Sequence, residues 1–143
     1  MVRTTKKIVF VGDAKSGKTT IMGTLRNKSI VEYRPTLGVE VYPNVYNNTV
    51  YKCWDTAGNP RYAGLNDGYY SQADGFVIVV DGKGDVKEQM SRWLANTRKV
   101  IQAPTLIIIN GGTLDELLSK RDDVLYVSPF TVSLKDIFSF FDQ

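Results

Sequence analysis

Short apolar runs alternate along the chain with segments of helical spacing. "KIVFV" (residues 7–11) is an unbroken apolar run, the pattern of a strand covered on both faces. "KTTIMGTLRNK" (residues 18–28) sets Ile21, Met22 and Leu25 on one side of a helix. "VEVYPNVY" (Val39–Tyr46) and "TVYKCWD" (Thr49–Asp55) flank Asn47-Asn48, which predicts a tight hairpin, and Pro43 predicts an edge position for the first of the pair. "GFVIVVD" (Gly75–Asp81) and "TLIIIN" (Thr105–Asn110) again read as strands buried on both faces. Between them, Met90, Trp93, Leu94 and Thr97 recur at helical spacing. "TLDELLSK" predicts a helix start with Thr113 and Glu116 as a capping box. "VLYVS" (residues 124–128) is a last strand, and "SLKDIFSFFDQ" a terminal helix with Ser133 as its N-cap. Such alternation predicts an α/β fold, a mostly parallel sheet with helices on both sides.

Composition narrows the picture. At 143 residues the chain suits one domain with a single core. Eighteen basic against 15 acidic residues give +3, and no basic stripe is present, so nucleic acid is not an expected partner. No apolar stretch approaches the roughly 20 residues that span a bilayer, and neither a leader nor a lipidation motif is evident. The single cysteine, Cys53, sits in an apolar run and reads as a buried structural thiol. A soluble, monomeric protein of a reducing compartment, cytoplasm or nucleus, is the expectation.

Chemistry enters at "GDAKSGKTT" (residues 12–20). Gly12, Gly17, Lys18 and Thr19 fit G-x-x-x-x-G-K-[ST] between a strand and a helix. Glycines let successive main-chain N–H groups converge on one anion, and the following helix adds its positive end. Lys18 can reach the outer phosphates, and the Thr19 hydroxyl can bind Mg²⁺. Asp55, at a strand end, can complete the Mg²⁺ shell, Gly58 can offer an N–H to the terminal phosphate, and Thr36 in "YRPTLGVEVYP" could close the metal site.

These three elements in this order resemble the Ras superfamily of small GTPases. "TLGVEVYP", "WDTAGNPRYAGLNDGYYSQAD" and "GKTT" are most similar to its Ran, or nuclear-transport, branch, over residues 7–81. The resemblance implies a three-layer Ras-like G domain over 1–143, shortened in its C-terminal half, whose mostly parallel six-stranded sheet carries one antiparallel edge strand. It implies GTP/GDP and Mg²⁺ as ligands, with metal contacts from Thr19, Thr36 and Asp55. Gly12, Asp13, Ala14, Lys15, Ser16, Gly17, Lys18, Thr19 and Thr20 would form the phosphate loop. Tyr33, Thr36, Gly58, Asn110 and Ser128 would complete the nucleotide contacts. Asn59, Thr36 and Lys18 would carry hydrolysis. Implied partners are importin-type receptors, a Ran-binding domain, an exchange factor and a GTPase-activating protein.

Departures from the family pattern set further expectations. Asn59 stands where the family has a water-orienting Gln, one methylene longer, and Ala14 where it has Gly. Misplacing that amide by a bond length can cost ~100-fold, so slow turnover is expected. Lys15 and Arg34 could supply charge at the γ-phosphate, although exposed loop charge is the commoner case. The guanine-reading N-K-x-D appears as "NGGT", in which only Asn110 matches, and Asp115 is placed to join the next helix. The later S-A-K becomes Ser128-Pro129-Phe130, whose Pro129 has no N–H to give. Relaxed base selectivity follows, with ATP a second option. Two functions stay open at this point: a slow GTP-hydrolysing switch, and a pseudo-GTPase module that engages transport factors with little dependence on nucleotide.

Overall fold

The computed structural model describes residues 3–27, 32–34, 39–55, 66–127 and 133–142. In chain order the elements are β1 (Thr4–Gly12), α1 (Lys18–Asn27), β2 (Glu32–Arg34), β3 (Val39–Tyr46), β4 (Thr49–Asp55), α2 (Asn66–Tyr70), β5 (Gly75–Asp81), α3 (Val86–Arg98), β6 (Thr105–Asn110), α4 (Glu116–Ser119), β7 (Val124–Val127) and α5 (Leu134–Phe141). The strands form one sheet in the order β2-β3-β4-β1-β5-β6-β7. The six expected strands are all present, and the three-residue β2 extends the antiparallel edge by pairing Glu32 with Val41 and Arg34 with Val39. Pro43 lies beyond that pairing, on the part of β3 that meets only β4, so its missing N–H interrupts no ladder there. β4, β1, β5, β6 and β7 run parallel.

The apolar runs are buried because alternate residues serve opposite layers. Ile8 and Phe10 of β1 join Ile21, Met22 and Leu25 of α1 and Ile137, Phe138 and Phe141 of α5. Val9 and Val11 face the other way, toward Met90 of α3 and Tyr69 and Tyr70 of α2. All four β1 residues are at most 1% exposed, which makes β1 the centre of a three-layer fold. Asn47 and Asn48 have φ of 46° and 64°, the left-handed pair that a two-residue hairpin needs to match strand twist.

Two helix starts differ from expectation. α4 is capped by Asp115, whose Oδ1 accepts from the N–H groups of Leu117 and Leu118 at 2.9 and 3.1 Å, and not by a Thr113–Glu116 box. A carboxylate one residue before the helix reaches both orphan donors, whereas Thr113 lies two residues further out. Ser133 does precede α5, but its hydroxyl makes no capping bond.

Candidate nucleotide site

The loop from Gly12 to α1 folds as its glycines dictate. A Cβ on Gly12 would lie 2.5 Å from Val79 O and 2.8 Å from Ser16 Oγ, so the loop leaves β1 against the main chain of β5. Gly17 has φ +94°, and a Cβ there would overlap Asn110 Nδ2. Ser16 N donates to Asp13 O at 3.0 Å, and Thr20 N and Ile21 N donate to Gly17 O at 3.1 and 3.4 Å, which closes the turn and opens the helix. The N–H groups of Ala14, Lys15, Gly17 and Thr19 find no acceptor among the described residues. A turn that leaves several amides unpaired at a helix N-terminus is the arrangement an anion satisfies.

The charged groups fit the same ligand. Lys18 is 5% exposed, and its Nζ lies 3.5 Å from Asp55 Oδ1 at the end of β4. Burial pushes the Lys18 pKa below the usual lysine value, and the nearby Asp55 charge offsets part of that push. A buried ammonium beside unpaired amides suits a polyphosphate, which would add negative charge to that of Asp55. Thr19 is exposed on the first turn of α1. With Asp55 it offers Mg²⁺ the few hard oxygens that ion takes from protein when phosphates and water provide the rest.

Asn110 ties β6 to the loop: its Nδ2 donates to Ser16 O at 3.0 Å, and its Oδ1 is buried without a partner among the described residues. Beyond it the chain departs from a base-reading motif. Gly111 and Gly112 have φ of 73° and 77°. Gly112 rests directly on the main chain of Gly82, leaving no room for a Cβ, and Gly82 N donates to Asn110 O at 2.9 Å. Asp115 is spent on α4, as the sequence spacing suggested, and so offers nothing to a base.

Asp13 lies in the loop after β1, and its carboxylate points to α3. Arg92 Nη1 and Nη2 donate to its two oxygens at 2.8 and 2.7 Å, and Trp93 Nε1 donates at 3.1 Å. The Arg92 guanidinium holds the Asp13 pKa below the ordinary carboxylate value, against a smaller opposing effect of burial. Gln89, buried in α3, bridges the same region by accepting from Asp81 N and donating to Asp81 O and Asp85 O. Sequence reading missed Arg92, Trp93 and Gln89. An i,i+4 Glu88–Arg92 pair was readable, but nothing local points across 79 residues to Asp13. A cleft of about 460 Å³ between loop and α3 is lined by Asp13, Asp81, Asp85 and Glu88 against Lys15 alone, so it repels polyphosphate and is not the site. Lys15 and Ala14 are exposed on the loop. Tyr33 pairs with Glu40 through the main chain of β2. Thr36, Gly58, Asn59 and Ser128 lie outside the described residues.

Comparison with known proteins agrees with this geometry. The family described as Ras of Complex, Roc, domain of DAPkinase matches residues 7–115. The chain is 30% identical over 135 residues to the Ras-related protein Rab-11C of Dictyostelium discoideum, covering 90% of this chain and 60% of that protein. Among solved structures, the G domain of the T. maritima FeoB iron transporter superposes with a TM-score of 0.75 at 16% identity, covering 96% of this chain and 97% of that one, which speaks for the fold. None of these three matches points to the Ran branch. The Ras-like family binds GTP or GDP with Mg²⁺, and no helix among the described residues is long and apolar enough to cross a membrane. With the family match running from β1 to Asp115, the cap of α4, the chain belongs to the Roc, or Ras of Complex, family of Ras-like small GTPase domains.

Proposed function

We infer that the chain is a single G domain acting as a nucleotide switch, which binds GTP and GDP with Mg²⁺ and hydrolyses GTP slowly. The observation that carries this reading is the buried Lys18 ammonium, 3.5 Å from Asp55, beside loop amides that no described residue satisfies. Lys18 and the amides would grip the β- and γ-phosphates, while Thr19, Asp55 and Thr36 would hold Mg²⁺. Mg²⁺ held there would supply charge neutralisation to the phosphates. Asn59 would orient the attacking water with an amide one methylene short of the family's Gln, and Ala14 adds a methyl to the loop, so turnover is slow. The Gly111-Gly112 turn and the engaged Asp115 offer no carboxylate to the guanine edge, which supports weak preference for guanine over adenine.

Calorimetric titration with GTP, GDP and ATP, each with and without Mg²⁺, tests the reading: Mg²⁺-dependent binding of GTP is expected, and no binding of any of the three overturns it. Single-turnover hydrolysis by Asn59→Gln should outpace the parent, and an unchanged rate would remove the account of slow turnover. The built phosphate grip favours this switch over a nucleotide-independent module. Ras-like GTPases bind exchange factors and activating proteins, and we extend that expectation to this chain. Importin-type and Ran-binding partners rest on the resemblance of "TLGVEVYP", "WDTAGNPRYAGLNDGYYSQAD" and "GKTT" alone. Equal affinity of such a receptor for the GTP- and GDP-loaded chain would count against them.

A further inference from the structure

Asp13 poses a problem for the phosphate site just proposed. It follows Gly12 directly, inside the loop whose amides await an anion, and it carries a negative charge of its own. A like charge that close to a polyphosphate should weaken binding by roughly tenfold at a protein surface. The structure shows how the charge is dealt with. Both carboxylate oxygens are turned onto α3, where the Arg92 fork holds them at 2.8 and 2.7 Å and the Trp93 ring N–H adds a third bond at 3.1 Å. Arg92 is itself set in place by Glu88, at 2.8 Å to Nε and 3.2 Å to Nη2. The main-chain N–H of Glu88 in turn donates to the N-cap Asp85 at 3.1 Å.

We propose that Arg92, aided by Trp93, is a positioning residue of the phosphate site: it neutralises Asp13 and holds its carboxylate away from the polyphosphate. The inference rests on the phosphate reading above. The clamp's value lies in affinity and not in folding. The side chains of Asp13 and Arg92 are 35% and 46% exposed, and exposed ion pairs add little to stability. A planar, bidentate guanidinium suits this task, because it fixes both oxygens at once where a lysine would hold one and leave the other free to swing back. Glu88 does not undo the effect. It faces Arg92 from within α3 and accepts from Nε at 2.8 Å and from Nη2 at 3.2 Å, while Nη1 and Nη2 keep their shorter bonds of 2.8 and 2.7 Å to Asp13.

The test is a double-mutant cycle read by titration with fluorescent GTP and GDP in Mg²⁺ at low salt, with urea unfolding of each variant as a check on the fold. Arg92→Ala should weaken GTP binding about tenfold and GDP binding less, since the triphosphate carries more charge. The loss should shrink in high salt. In an Asp13→Asn background the same Arg92→Ala change should cost less than about threefold, because no charge remains to be held off. A structural staple would behave differently, with stability falling, both nucleotides affected equally and no relief from Asp13→Asn. That result, or an unchanged affinity of Arg92→Ala, overturns the clamp while leaving the switch reading intact. A parent chain that binds neither nucleotide overturns the switch reading, and the clamp falls with it.

Discussion

Replacing Gly17 by alanine inserts one methyl group where the phosphate loop meets the end of β6. Two costs arise. The backbone at φ +94° suits glycine, and holding an L-residue at positive φ costs about 1–2 kcal/mol. The new Cβ also overlaps Asn110 Nδ2, so the amide must leave Ser16 O, which it reaches at 3.0 Å. Ser16 is fully buried, and a buried carbonyl left unpaired costs about 1–3 kcal/mol. Together they predict about 2–5 kcal/mol of destabilisation, a large share of the 5–15 kcal/mol typical of a small domain. Urea unfolding without nucleotide, followed by fluorescence of Trp54 and Trp93, should show a midpoint lower by about 1–3 M. The two costs separate in an Asn110→Ala background, where obstacle and hydrogen bond are both gone. There Gly17→Ala should cost only the backbone share, about 1–2 kcal/mol. A loss under about 0.5 kcal/mol in the parent, or equal losses in both backgrounds, would refute the reasoning.

Three further outcomes are expected. Lys18→Met should abolish triphosphate binding, yet stabilise the nucleotide-free chain at neutral pH. Burial lowers the Lys18 pKa, so the unfolded chain holds more protons just below the ordinary lysine value of about 10.4. Lys18's contribution therefore improves as pH rises toward that value, and the variant's advantage should narrow in urea midpoints as pH is raised from neutral to about 10.4; a constant gap would contradict it. The tyrosines raised by burial, Tyr70 to about 12, titrate alike in both proteins and cancel. Phe138 stacks on Tyr51 with centroids 4.8 Å apart and meets Tyr46 edge-on at 6.3 Å, so Phe138→Ala should cost about 3–5 kcal/mol in the same unfolding assay. Cys53 is fully buried and its thiol pKa is pushed up, so a thiol reagent should label it only as fast as the chain unfolds; rapid labelling of the native protein would place the side chain elsewhere.

How much the sequence disclosed depended on whether the deciding interactions were local. The β1 run, the glycine spacing after it and the Asn47-Asn48 turn are local signals, and each element formed where its pattern lies. β2 escaped notice because three residues are too few to carry a period. Thr113 looked like a cap because it has the right chemistry at a plausible spacing, but Asp115 lies nearer the first orphan amides and took the role. Asn110 was recognised by its place at the end of β6, while its bond to Ser16 spans 94 residues and needed the fold to be seen. The turning of Asp13 toward Arg92 and Trp93 is a tertiary fact of the same kind. A residue can thus belong to a binding motif by position while its side chain works for another element.

The contact between Gly82 and Gly112 constrains how this chain can change. Two loops from neighbouring strands touch there with no side chain between them, and the hydrogen bond from Gly82 N to Asn110 O runs through the contact. Any residue larger than glycine at Gly112 would wedge the strand ends apart and drag Asn110, and through it Ser16, out of place. Position 112 is therefore closed to any side chain one substitution at a time, and a larger residue could enter there only if both loops were rebuilt together.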